Sequence, residues 1–126
     1  MDCFSQGARL KARLQDAYGT PAERLWAKFP DYAVFRHPMS GKWYAAFLSV
    51  PRNRLGLEGD RTADILDVKC SPLMIGTLLS EPGFFPAYHM NKSNWISILL
   101  DGPVPDDTIL SLLSLSYDSV SPKRRK

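Results

Sequence analysis

The stretch FPAYHMNKSNW, residues 85–95, gathers a phenol (Tyr88), an imidazole (His89), a carboxamide (Asn91) and an ammonium group (Lys92) directly before an apolar run, ISILL. An imidazole exchanges protons near neutral pH, so His89 is the candidate in this loop for acid–base work. It stands without an identified nucleophile or orienting carboxylate. The chain also contains no GxSxG elbow, HExxH pair, phosphate loop ending in GK[ST] or GxGxxG. GLEG, residues 56–59, is only a glycine-bounded turn, and no enzymatic activity is expected. Binding asks less of the same side chains: Tyr88, His89, Asn91 and Lys92 offer donors, acceptors and a flat ring suited to a phosphate, a base edge or a peptide backbone. The competing reading is architectural. Asn91 and Asn94 then close turns, Phe85 and Trp95 fill the core, and the loop fixes how the chain enters its last strand.

A second set of candidates is cationic. Arg36 and Lys42 bracket a hairpin loop beside Trp43 and Tyr44, Arg52 and Arg54 belong to the segment RNRLGLEG, and Lys123, Arg124, Arg125 and Lys126 end the chain. The net charge is +3, but the four tail cations account for it: residues 1–54 hold nine basic and four acidic groups, residues 55–122 three basic and nine acidic. If the two halves fold onto separate faces, the molecule carries one basic surface. Basic and aromatic residues together suit phosphate contact with stacking, whereas the bland alternative is a solvated rim. The tail alone would bind weakly, since four phosphate contacts imply about 150-fold loss between 50 and 200 mM salt. Arg9, Lys11 and Arg13 are spread around the polar side of the first helix and do not mark a recognition helix. DNA and another protein are the partners to weigh.

Cys3 and Cys70 are too far apart to suggest a redox motif, and with His37 and His89 they give no ligand spacing, so neither a metal nor a cofactor is expected. The apolar runs are short and MDCFSQGARLKARL lacks a signal-peptide core, which makes a cytoplasmic location, away from membranes, the expectation.

These residues must be positioned by elements that the pattern predicts. Leu10, Leu14 and Tyr18 share a helical face that Gly19 and Pro21 end. Thr20-Pro21-Ala22-Glu23 has the form of a capping box leading into a short turn to Trp26. Residues 32–37 and 42–50 read as strands, the second with Trp43, Ala45 and Phe47 on one face and Tyr44, Ala46, Leu48 and Val50 on the other, hence a central strand. A third strand is expected over 62–70. Ser71 caps a helix with Pro72 in its first turn, and Gly76 within it suggests close packing on the sheet. Residues 95–100 form a strand apolar on both faces, and Pro105-Asp106-Asp107 opens a final helix with the stripe Ile109, Leu112, Leu113, Ser116, Tyr117 and Val120. The fold class is α+β: a curved antiparallel sheet with helices packed on it, in the order α-β-β-β-α-β(β)-α. Residues 1–121 read as a single domain and 122–126 as a basic tail.

YAVFRHPMSGKWYAAF, LGLEG, ILDVKCSPLMIGTL and EPGFFPAYHMNKSNWISILLDGPVPD together resemble the MmcQ/YjbR family over nearly the whole chain. The resemblance implies an α+β fold of the kind also compared with frataxin/CyaY and with secretion chaperones. It further implies DNA binding through a pair of β-wings, for which the loops at Arg36–Lys42 and Arg52–Arg54 are the positions to examine, with no defined reaction. The chaperone likeness implies an alternative, a protein- or peptide-interaction module using a sheet face or edge. A small-ligand pocket around Tyr88 and His89 ranks third.

Overall fold

Ser5 Oγ accepts a hydrogen bond from the Ala8 amide (3.2 Å) and so starts α1, Gln6–Tyr18. This is seen in the computed structural model, which describes residues 5–19, 22–24, 28, 32–88 and 90–122. Gly19, at φ 65°, ends the helix in the left-handed conformation that glycine adopts without penalty. There follow β1 (Ala33–Arg36), β2 (Trp43–Pro51), a 3-10 turn (Arg52–Leu55), β3 (Thr62–Lys69), α2 (Pro72–Leu78), β4 (Phe84–Pro86), β5 (Trp95–Leu99) and α3 (Asp106–Ser119). The strands form one antiparallel sheet in the order β1-β2-β3-β5-β4. The α+β class and element order read from the sequence therefore hold, with β4 the optional extra strand. Thr20, Pro21 and Trp26 of the expected capping box and turn lie outside the described residues. Glu23 exchanges two backbone bonds with Val34, covering the outer edge of β1.

One face of the sheet is covered by helices. Phe35, Ala45, Phe47, Leu66, Val68, Ile96 and Ile98 pack there against Leu10 and Leu14 of α1 and Ile109, Leu112 and Leu113 of α3. The α3 stripe is the one its 3.6-residue period predicts. Two details differ from expectation. The β1–β2 register shifts between Phe35 and Arg36 because Tyr44 is an extra residue in β2, a bulge that places Tyr44 in the helix-side core instead of beside Ala46 and Leu48. There it packs edge-on to Tyr18 and Tyr117. A bulge interrupts ladder bonding, and Ser116 compensates: its Oγ donates to the Tyr44 carbonyl (2.6 Å) and accepts from the Lys69 amide (2.9 Å). Gly76, by contrast, does not pack on the sheet; it is exposed, with open space where a Cβ would stand. Ile75 is the residue of α2 that enters the core.

Polar residues tie the ends together. Gln6 is 4% exposed and bonds Asp101 in both directions while its Nε2 donates to Val104 O and Asp106 Oδ1. Arg9 also reaches Asp106 (3.1 Å), and these two partners, Arg9 first, hold the Asp106 carboxyl below its ordinary pKa. His37 is committed to its hairpin. Its Nδ1 accepts from the Met39 and Ser40 amides and its Nε2 meets Ser121 Oγ at 3.0 Å. Cys70 is buried in the helix-side core, which raises its thiol pKa. Among the described residues no helix is long and apolar enough to cross a membrane.

Candidate functional site

The other face of the sheet is closed by a loop. Register alignment runs one row of residues across all five strands: Val34, Ala46, Asp67, Ser97 and Phe85. A carboxylate thus stands near the middle of the sheet. After β4 the chain folds back over this face, and the Tyr88 amide donates to Ser97 Oγ (3.0 Å), whose own proton goes to Asp67 Oδ1 at 2.5 Å. Asp67 and Ser97 are both 0% exposed. Asp67 Oδ2 has no hydrogen-bond partner among the described residues. Burial raises the Asp67 pKa to about 7, against the opposing pull of the Ser97 hydrogen bond and of the Lys92 charge.

Tyr88 also packs on the apolar cluster of Tyr32, Leu48, Val50 and Ile65, together with Leu55. Tyr32 donates its phenol to the Ser49 carbonyl (2.9 Å), and burial, then the neighbouring Tyr88, raises its pKa. Above this cluster lies a pocket of about 290 Å³ lined by Arg54, Leu55, Phe85, Pro86, Ala87, Tyr88 and Lys92. Its walls come from three separate segments: the 3-10 turn, β4 and the returning loop. The turn is placed by its own bonding. Arg52 N donates to Arg61 O, Arg52 Nε to Glu58 O (2.8 Å), and Gly56, at φ 78°, reverses the chain. Arg54 and Lys92 are exposed at the pocket and Tyr88 is half-buried.

Three of the candidate residues, Arg54, Tyr88 and Lys92, are therefore brought together. The other described candidates, Arg36, Lys42, Arg52 and Asn91, do not line the pocket. Arg36 is paired with Glu23 (3.0 Å), donates to Gly41 O and lies over the Trp43 ring. Lys42 is exposed beside it. These two sit at the start of β2 and Arg52 and Arg54 beyond its end, so a nine-residue strand, about 26 Å long, separates the expected wings. Arg52 serves as a staple of its own loop. Asn91 closes a turn, accepting from Ser93 N at its side chain (2.8 Å) and from Asn94 N at its carbonyl, as the architectural reading has it. His89, Lys123, Arg124, Arg125 and Lys126 lie outside the described residues. Asp67 and Ser97 were not singled out from sequence; the signal was a charged residue at mid-strand in TADILDVK, between apolar neighbours. Two larger hollows, about 610 and 590 Å³, border α1. They are lined by Lys11 and Arg24 and by Arg9 and Arg13 respectively; Lys11 lies over the Phe47 ring and Arg9 against Asp106.

The YjbR family model matches residues 10–119. The chain belongs to the YjbR family. Bacillus subtilis (strain 168) protein YyaQ is 38% identical to this YjbR chain over 104 residues, 82% of it and 88% of YyaQ. A Pseudomonas syringae crystal structure superposes with a TM-score of 0.87 at 42% identity, covering 90% of this chain and 97% of that one. A solution NMR structure from the same organism gives a TM-score of 0.83 at 40% identity and 94% coverage of each chain. Deinococcus radiodurans protein DR2400 shares the fold alone, with a TM-score of 0.63 at 22% identity over 86% of this chain and 76% of its own. The YjbR match spans β1 through α3, and so includes every segment that lines the pocket.

Proposed function

We propose that this YjbR chain is a non-catalytic, cytoplasmic nucleic-acid-binding protein that takes a single strand into the Arg54–Tyr88–Lys92 pocket. The observation that carries the reading is the convergence of two exposed cations and an aromatic ring on one concave surface. Single strands are held in this way, by cations along the backbone and rings on which bases stack. Duplex recognition through paired wings fits less well, because the hairpin and the Arg52–Leu55 turn stand at opposite ends of β2 and Arg36 is already matched by Glu23. Catalysis has no support at Ser97, whose hydroxyl is buried and gives its proton to Asp67. The protein-interaction alternative draws on exposed Leu73 and Met39, 86% and 79% accessible. Strand addition suits it poorly: Glu23 bridges β1, and β4 is three residues ending in Pro86.

Fluorescence anisotropy with labelled oligo-dT and a labelled duplex, at several salt concentrations, tests the proposal. Oligo-dT is expected to bind more tightly than duplex. Replacing Arg54 and Lys92 together by Ala lowers the magnitude of the salt slope by roughly 1.4, the value for two contacts on a single strand. Tyr88→Leu, which keeps apolar bulk over Leu48 and Ile65, removes about 1–3 kcal/mol of stacking. Curves unchanged in both variants, or binding lost on ending the chain at Ser121, contradict the proposal. A discrete protein partner retained after nuclease treatment, with no binding of either nucleic acid, favours the interaction module.

A further inference from the structure

Beneath the proposed pocket the structure holds a polar chain that recognition does not itself require. Tyr88 N–H donates to Ser97 Oγ, Ser97 donates to Asp67 Oδ1, and Asp67 Oδ2 has no partner among the described residues. A buried carboxylate oxygen with no donor is costly, and such cost is tolerated where it has a use. Lys92 lines the pocket above, and its charge acts on Asp67. We infer that Asp67 makes anion binding in the Arg54–Tyr88–Lys92 pocket proton-linked: the carboxylate takes up a proton when Lys92 is engaged by a bound anion, and affinity rises as pH falls. This rests on the pocket reading above and adds its regulation.

The physical sequence is short. With the pocket empty, the Lys92 field and the Ser97 hydrogen bond favour the ionised carboxylate against its burial. A phosphate that pairs with Lys92 cancels much of that field. Asp67 then takes a proton from solvent on Oδ2, while Ser97 continues to donate to Oδ1. Reciprocally, a protonated Asp67 releases Lys92 to the anion and removes a negative charge from beneath it. The surroundings of Asp67 are simple. β2 places Ala46 beside it, β5 places Ser97, and the loop brings Tyr88 and Lys92. Along β3 itself Lys69 follows two residues on, by strand alternation on the same face. Among the described residues Lys92 is the charged group whose field reaches Asp67.

The test compares wild type and Asp67→Asn at constant ionic strength. The probe is oligo-dT, whose bases and phosphodiesters keep their charge across neutral pH. Wild type is expected to bind about fivefold more tightly at about pH 6 than at about pH 8. Asp67→Asn is expected to bind with the same affinity at both. Amide signals of Tyr88 and Ser97 in the ligand-free protein should titrate with a midpoint near 7 in wild type and stay still in the variant. A flat wild-type affinity overturns the linkage while leaving the nucleic-acid reading standing. A slope or an amide midpoint that persists in Asp67→Asn belongs to another group and likewise overturns it. If oligo-dT fails to bind at any pH, the nucleic-acid reading falls, and the comparison is made with inorganic sulfate, followed by the Lys92 amide. Sulfate binding that tightens toward low pH only with Asp67 present supports the linkage; no binding, or pH-independent binding, overturns it.

Discussion

The two faces of the sheet are closed by different means. On one, α1 and α3 lay a continuous apolar surface over Phe35, Phe47, Leu66 and Ile98, and the buried Ser116 is bonded as both donor and acceptor. On the other, a loop crosses a smaller apolar cluster and a buried carboxylate of which one oxygen has no partner among the described residues. The first arrangement resembles an ordinary core of packed apolar side chains. The second retains a local penalty next to a pocket lined by Arg54 and Lys92. On the proposed reading, stability and recognition fall on opposite sides of the same strands.

That contrast can be broken at several points. On the helix side, Leu113, 1% exposed, is surrounded by core, and Leu113→Ala is expected to lower unfolding stability by about 2–5 kcal/mol in urea titrations. On the loop side the sign reverses. The folded-state pKa of Asp67 is about 7 against an ordinary 3.8, so the folded protein holds a proton that the unfolded chain has released between these values. Its stabilising contribution is complete below about pH 4 and is lost as pH rises through 7. Asp67→Asn is therefore expected to match wild type near pH 4 and to exceed it at pH 8 by up to roughly 4 kcal/mol, read from paired denaturation curves. Equal pH profiles for the two proteins would remove the contrast. Ser116→Ala leaves the Tyr44 carbonyl and Lys69 amide short of a partner and should cost about 1–3 kcal/mol. Arg9→Ala, at a partly exposed ion pair with Asp106, is expected to change stability by less than about 1 kcal/mol.

Much of the helix side was legible in the sequence, because local pattern decides it. The stripe from Ile109 to Val120 has the helical period, Ser71-Pro72 announces α2 and its Oγ does cap Met74 N, and the YjbR motifs fixed the fold class. Tyr44 departs from strand alternation because a bulge depends on which residue of β1 lies opposite, and the pattern within β2 contains no such information. The helix penalty at Gly76 suggests a packing contact, but a Cβ there would meet nothing within 4 Å. The loop side was less legible for a different reason. Tyr88, Lys92 and Arg54 were picked by chemistry, yet Arg54 is joined to the other two only through the tertiary fold. Asp67 and Ser97 are separated by 30 positions and meet through sheet register. The charge count by halves of the chain does not locate its cations either: Arg36 and Lys42 lie before β2, and Arg52 and Arg54 follow its other end.

The most direct measurement is a map of amide shifts in isotope-labelled protein as unlabelled oligo-dT is added. Binding on the loop-covered face predicts that the largest changes fall at Arg54, Leu55, Ala87, Tyr88 and Lys92, with α1 and α3 nearly unmoved. Changes concentrated at the Arg36–Lys42 hairpin, or among residues 122–126, would contradict it.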